Sequence, residues 1–468
     1  MLPKGLMSGL PRGLYFFTRL VLLLLVVPAA VPAVAQTTVI QCVPEDSVWL
    51  AGLYAGYAVQ YKQELTQLPS DNRKDYQSIY ADRWANIKEK FDGQEIYTAP
   101  DAQAYLDAVA GEIVRGNPVL SGHVFRCYFS RSSVPNAEYI GEGIILVNMG
   151  LFERLHNESE AAFVLCHEIA HYILHHQENS IARYVTTINS RETQEQLRQI
   201  KNSQYQKREA LEQLVKGLTF DSRRHSRDHE AQADSMGVEL MRHTSYDLHG
   251  ALTTLALLDI IDQDDFDTES GLQQVFNARE YPFKKKWLNH ESGLLGGHAR
   301  LQPQEMSDSL KTHPACKQRI ILLAPRVGTA PAGRFFVVDS MRFAGLQERF
   351  RYEVIEYAYV SEEYTQSLFL TLELLHARPG DSYGVANTGR VLNSLYAAQK
   401  AHRLSKVADL PGPGFPENYN TLLQFVQNLY LGELASINYY FLASWHPQLD
   451  GYAIFRHAYE ESAKNVQQ

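Results

Sequence analysis

Apolar and polar positions alternate along the chain in three regimes. After an apolar leader, residues 36 to about 120 carry helical periodicity: Trp49 to Leu65 and Ala102 to Arg115 are amphipathic candidates, with Asp101 placed to cap the second. His123 to Ser130 switches to period two and is rich in β-formers, and Ile140 to Asn148 has the same bias, broken by Gly141 and Gly143. These predict two strands of a small sheet, with Pro135-Asn136 in the turn region between them. The helical period then returns. Asn157 and Glu160 have capping-box spacing ahead of an apolar run that continues to about Gln177. Glu178 to Lys216 is charged and helical in character, which predicts exposed helix or a mobile insertion. Further helices are expected from near Asp221 or Ser222 to near His243, and over Leu252 to Ile261.

Residues 262–312 lose the pattern and read as a long irregular insertion, a candidate lid. Ala324 to Gly333 is rich in Pro and Gly and reads as a linker. Beyond it, Phe350 to Ala358 and Ser361 to His376 predict a helical hairpin, a second pair is expected between Gly384 and His402, and two more helices over Tyr419 to Ser444 and Gly451 to Val466. The first hairpin resembles a tetratricopeptide unit, although a single match does not establish a repeat. The expected fold class is therefore mainly α with a small β-sheet (α+β). Its expected organisation is a leader over 1–35, a catalytic domain over 36–325 and a helical C-terminal region over 334–468.

The leader changes the cellular picture. Lys4, Arg12 and Arg19 are its only charges, Leu20 to Val27 is wholly apolar, and Ala33-Val34-Ala35 forms a small-x-small site before Gln36. This is the layout of a cleaved secretory signal and predicts an exported protein, periplasmic or extracellular. The runner-up is an uncleaved anchor, but the run is short for a span and holds Pro28 and Pro32. Losing the leader's three cations takes the net charge from -9 to -12. An acidic chain has no broad attraction to nucleic acid, and membrane association is expected to be peripheral at most. Export permits disulfides among Cys42, Cys127, Cys166 and Cys316, whose pairing spacing cannot choose. Cys166 reads as a buried small hydrophobe.

The chemistry sits in His167-Glu168-Ile169-Ala170-His171. Residues four apart on a helix share a face, so two imidazoles can converge on one metal ion. Glu168 is rotated off that face and can take a proton from a water that zinc activates. A catalytic zinc needs a third protein ligand and an open position. Glu230 is the best candidate, with Asp234 one turn further placed to support a ligand histidine. Spacing alone leaves Glu178, Glu192 and Glu195 open. His175 and His176 read as exposed or supporting residues rather than ligands.

His-Glu-Ile-Ala-His followed by Glu230-x-x-Ala233-Asp234-x-x-Gly237 resembles zinc metallopeptidase family forty-eight. The resemblance extends over Pro135-Asn136-Ala137, Val147 to Leu151, Thr312-His313-Pro314 and Arg319-Ile320, and spans about residues 100 to 325. It implies a zincin-type (gluzincin) fold, one Zn2+ per chain held by His167, His171 and Glu230, and catalysis by Glu168. It also implies that Asp234 supports the site, that His313 lies near the metal in a catalytic role, stabilising the transition state or occupying the open position, and that the strand after Asn136 is an edge beside the cleft. Membrane-embedded members carry several spanning helices, and this chain has none after its leader. The expected function is a metalloendopeptidase acting on proteins or peptides in the cell envelope, in quality control, with the C-terminal helices binding substrate or a protein partner. The alternative is a latent protease that acts mainly as an envelope assembly or binding factor.

Overall fold

The computed structural model describes residues 44–202, 227–261, 266–288, 316–328, 331–412 and 414–467. The leader, Cys42 and His313 lie outside them. The chain opens with two helices, α1 (Pro44–Gln67) and α2 (Arg73–Asp92). Then come β1 (Ile96–Tyr97), α3 (Pro100–Gly116), β2 (Arg126–Ser130), β3 (Ala137–Gly141) and β4 (Ile144–Asn148). The sheet order is β1-β2-β4-β3, with β2 parallel to β4 and β3 antiparallel to it, so β3 is an edge strand.

Both faces of this sheet are covered. Cys127, Phe129, Ile145 and Val147 join one core with residues of α3, while Tyr128, Ile144 and Leu146 join another with Leu50, Ile87 and Phe91 of the first two helices. Burial on both sides explains why β4, Ile-Ile-Leu-Val-Asn, carries no polar alternation. The expected single strand over Ile140 to Asn148 is instead the second half of a hairpin. Its two-residue turn, Glu142-Gly143, has φ of 49° and 74°, the left-handed pairing that suits strand twist. A side chain at Gly143 would press to within 2.3 Å of the Val124 carbonyl, so only glycine fits.

After a short helical turn, α4 (Met149–Phe152), comes α5 (Glu158–Ile173), which packs on β3 and β4. Asn157 caps α5 by accepting from the Glu160 N–H at 3.1 Å, while Glu160 accepts from the His156 N–H rather than closing a full box. His175, with φ of 54°, ends the helical path and turns the chain into α6 (His176–Ile188), followed by α7 (Arg191–Asn202). Residues 227–242 form α8, and α9 (His249–Ile260) returns over α5.

The segment expected to be irregular is partly ordered. Asp267 caps α10 (Thr268–Phe276), and Phe266, Leu272, Phe276 and Trp287 are buried in one core with the C-terminal helices. Sequence periodicity missed this because α10 has only nine residues and its apolar side chains face a distant part of the chain. The last helices are α11 (Cys316–Val327), α12 (Ser340–Val360), α13 (Tyr364–Ala377), α14 (Ser382–Lys400), α15 (Glu417–Asn428), α16 (Leu431–Leu449) and α17 (Ala453–Val466). The expected pair between Gly384 and His402 is one helix. The two long predicted helices at the end become three.

The stretch read as a linker is stitched down at its far end. Phe335 O accepts from the Ser159 N–H, and Arg334 O accepts from both the Asp247 N–H and the Ser159 hydroxyl. The Glu158 carboxylate, fully buried at the start of α5, accepts from the backbone N–H groups of Val337, Val338 and Asp339 at 2.7–2.8 Å. Continuing the same seam, α12 contributes Phe343, Leu346, Phe350, Tyr352, Val354 and Ile355 to the core that holds α3 and α5. The structure is α+β and mainly helical. Among the described residues no helix is long and apolar enough to cross a membrane.

Candidate metal centre

Three helices bring the candidate residues together. His167, Glu168 and His171 lie on α5, Glu230 and Asp234 on α8, and Arg319 on α11. Close approach of α8 to α5 depends on Gly237, where a Cβ would sit 3.2 Å from the His167 backbone nitrogen. His167 Nε2 lies 3.1 Å from His171 Nε2. Glu230 reaches both rings, Oε2 at 3.4 Å from His167 Nε2 and Oε1 at 3.5 Å from His171 Nε2. These three residues form a group able to hold a metal ion, with ligand atoms within 4.8 Å of one another. Ligands arranged tetrahedrally at about 2.0–2.1 Å from a zinc ion stand roughly 3.3–3.4 Å apart, so the donor set fits. Glu178 instead accepts from the Tyr139 hydroxyl, and Glu195 pairs with Arg191 on α7. Neither they nor Glu192 lines the cavity of the histidine pair.

Each ring has its own support. Asp234 Oδ1 lies 3.0 Å from His167 Nδ1, close though not aligned for a hydrogen bond. Arg319 fixes Asp234 through two bonds of 2.7 Å and approaches Glu230 Oε2 at 3.2 Å. On the other side, His171 Nδ1 lies 3.0 Å from His176 Nδ1, and His176 Nε2 lies 3.1 Å from Gln232 Oε1. One proton assignment satisfies the whole chain: His171 Nδ1–H donates to His176, and His176 Nε2–H donates to Gln232. It leaves His171 Nε2 with a lone pair aimed at Glu230 and His167.

The electrostatics ask for positive charge at this point. Burial opposes a charged His167, but Asp234 and Glu230 outweigh it and push the ring up to about 10. Burial and the neighbouring His167 push His171 down to about 3. Burial alone would raise Glu230, yet His167 and Arg319 hold its carboxyl well below the usual range. Asp234 is lowered against the same burial by Arg319 and His167.

Glu168 lines the same cavity of about 500 Å³. Its Oε2 accepts from the Tyr139 N–H of edge strand β3 at 2.8 Å, and burial pushes its carboxyl up to about 7. Asn136 and Ala137, at the start of that edge, line the cavity too. The expected cluster of His167, Glu168, His171, Glu230 and Asp234 thus converges, while the expected neighbour His313 lies outside the described residues. Of the two places left open for His176, exposed or supporting, the structure gives it the supporting one beside His171, while its own partner Gln232 went unread. Arg319 entered only as part of a motif, yet it left a signal. The buried positions of α11 are Cys316, Arg319, Leu323 and Val327, so an arginine occupies a core place in an apolar stripe.

A histidine pair one helical turn apart, a carboxylate from a second helix and a glutamate sharing their cavity form a group that could hold a metal ion beside a proton acceptor. The model of peptidase family M48 matches residues 100–326, and this part of the chain belongs to that family. Its members are zinc-dependent peptidases, which makes protein or peptide the substrate class. The match ends before α12. No curated protein matches the chain.

Proposed function

We propose that the chain is a zinc metalloendopeptidase of exported proteins, binding one Zn2+ through His167, His171 and Glu230. The convergence of these three side chains from two helices beside Glu168 carries the reading. When bound, zinc polarises the scissile carbonyl and lowers the pKa of water. The chain's own residues do the rest. With Oε2 anchored on the Tyr139 N–H, Glu168 keeps Oε1 to accept a proton from the attacking water. A carboxyl near 7 can then release that proton to the leaving amine at neutral pH. Among the described residues strand β3 has no neighbour on its outer side, so an extended substrate can add to it through backbone hydrogen bonds. Asp234, Arg319, His176 and Gln232 hold the ligands in orientation. By resemblance His313 takes a catalytic role. Cell-envelope quality control follows from the leader pattern over 1–35 together with substrate recognition through backbone.

Purified enzyme should carry about one zinc per chain and cut an unfolded casein-type substrate, with cleavage lost on chelation and regained on adding Zn2+. Stoichiometric zinc with no cleavage of any unfolded protein would sink the reading.

The support around His171 gives a sharper expectation. His176→Ala should weaken zinc binding by about 10–100-fold, the range for losing a group that orients a ligand histidine. Competition against a chromophoric chelator measures it, and His176→Gln, which keeps an acceptor near His171, should regain part of the loss. An affinity equal to wild type in His176→Ala would show that the contact with His171 orients nothing.

A further inference from the structure

The cavity at the metal centre does not end there. Glu138, Tyr139 and Gln177 line it on one side and also line a second hollow of about 1030 Å³, twice its size. This second hollow lies between α2 and the C-terminal end of α12, with β3 along it. Lys90, Glu95, Arg131 and Tyr357 then lead into a third hollow of about 560 Å³, which reaches α13 and the Val407–Asp409 segment. The three adjoin in series through these shared lining residues, from the histidine pair past the edge strand to the C-terminal helices.

The character of the trough narrows its occupant. Lys90 is already matched by Glu95 at 2.9 Å and Glu138 at 3.5 Å, and acids outnumber bases in the lining of the second and third hollows. A trough of that kind disfavours an anionic ligand. It is also too long for a small molecule, whose sites span about 300–1,000 Å³ in total. It follows an edge strand, which offers backbone groups in a row.

Resting on the peptidase reading above, we infer that the enzyme takes extended polypeptide that continues well past the scissile bond, held in the trough between α2 and α12. Short peptides fill only the metal cavity. Long unfolded segments gain affinity from the trough, and the C-terminal helices supply its far wall. Substrate is thereby selected for length and lack of structure rather than for one side chain.

The test uses two quenched fluorescent peptides with one cleavage site, a hexamer and the same sequence extended by eight residues at either end. Val360 is 49% exposed on the α12 wall, beside Ser361 and away from the metal ligands. Wild-type enzyme should show a KM about tenfold lower for an extended peptide than for the hexamer. The double variant Val360→Trp, Ser361→Trp should remove that gain and leave hexamer cleavage unchanged, which also reports an intact fold. Equal KM for both lengths, or equal loss on both peptides in the double variant, overturns the inference. Binding of the labelled peptides to Glu168→Gln, followed by anisotropy, separates the two readings. If wild type cuts neither peptide but the variant still prefers the long one, the peptidase reading fails and the trough stands. No length preference in binding refutes the trough by itself.

Discussion

Glu168→Gln is expected to lower kcat/KM by about 10³-fold while leaving zinc content and thermal stability close to wild type. The size follows from what the substitution removes, a positioned proton acceptor, worth typically 10²–10⁴-fold. Stability should hold because the amide oxygen of glutamine can still accept from the Tyr139 N–H, the bond that anchors the carboxylate at 2.8 Å. Zinc should hold because the ligand group is His167, His171 and Glu230, without Glu168. Single-turnover cleavage of an unfolded substrate, alongside metal analysis of the same sample, gives both numbers. Activity within tenfold of wild type would remove Glu168 from the chemistry and require another base in the cavity.

A chain ended at residue 333 is expected not to fold, although the family match stops at 326. The cut removes α12 and with it six buried side chains of the core that holds α3 and α5. At about 1.5–3 kcal/mol for each buried apolar side chain, the loss is on the order of 9–18 kcal/mol, as large as the whole stability of a typical domain. Two polar costs add to it. The Glu158 carboxylate loses the three backbone donors of residues 337–339. Arg131, wholly buried, loses Glu353, its partner at 3.1 Å, and a buried charge stripped of its partner is strongly destabilising. Far-UV dichroism and calorimetry of the truncated protein give the answer. A cooperative melting transition with bound zinc would show that the peptidase part stands alone.

Much of the centre was legible because its geometry is local. His167 and His171 needed only the helical period, and α5 is regular from Asn157 to Ile173. Glu230 needed the motif, since nothing local singles it out from Glu178 or Glu195. Elements whose apolar faces pair over long distances were harder. Leu272, Phe276 and Trp287 make sense only beside helices that follow much later in the chain. The hairpin over 137–148 was hidden because burial on both faces erased its alternation. The stretch before α12 looked like a tether because its Pro and Gly content says nothing of a buried carboxylate waiting at Glu158. Arg319 was visible in principle as a cation within an apolar stripe, but its partner Asp234 lies on another helix.

Helix α8 carries both Glu230, facing the two rings, and Gln232, which steadies the second ring through His176. Seating that single rod against Gly237's neighbour on α5 therefore delivers the last ligand and the last orienting contact in the same movement. A nascent polypeptide that has made only α5 owns two imidazoles but lacks the third ligand and the contact that steadies the second ring. The complete ligand group therefore exists only once the tertiary structure has brought α8 against α5.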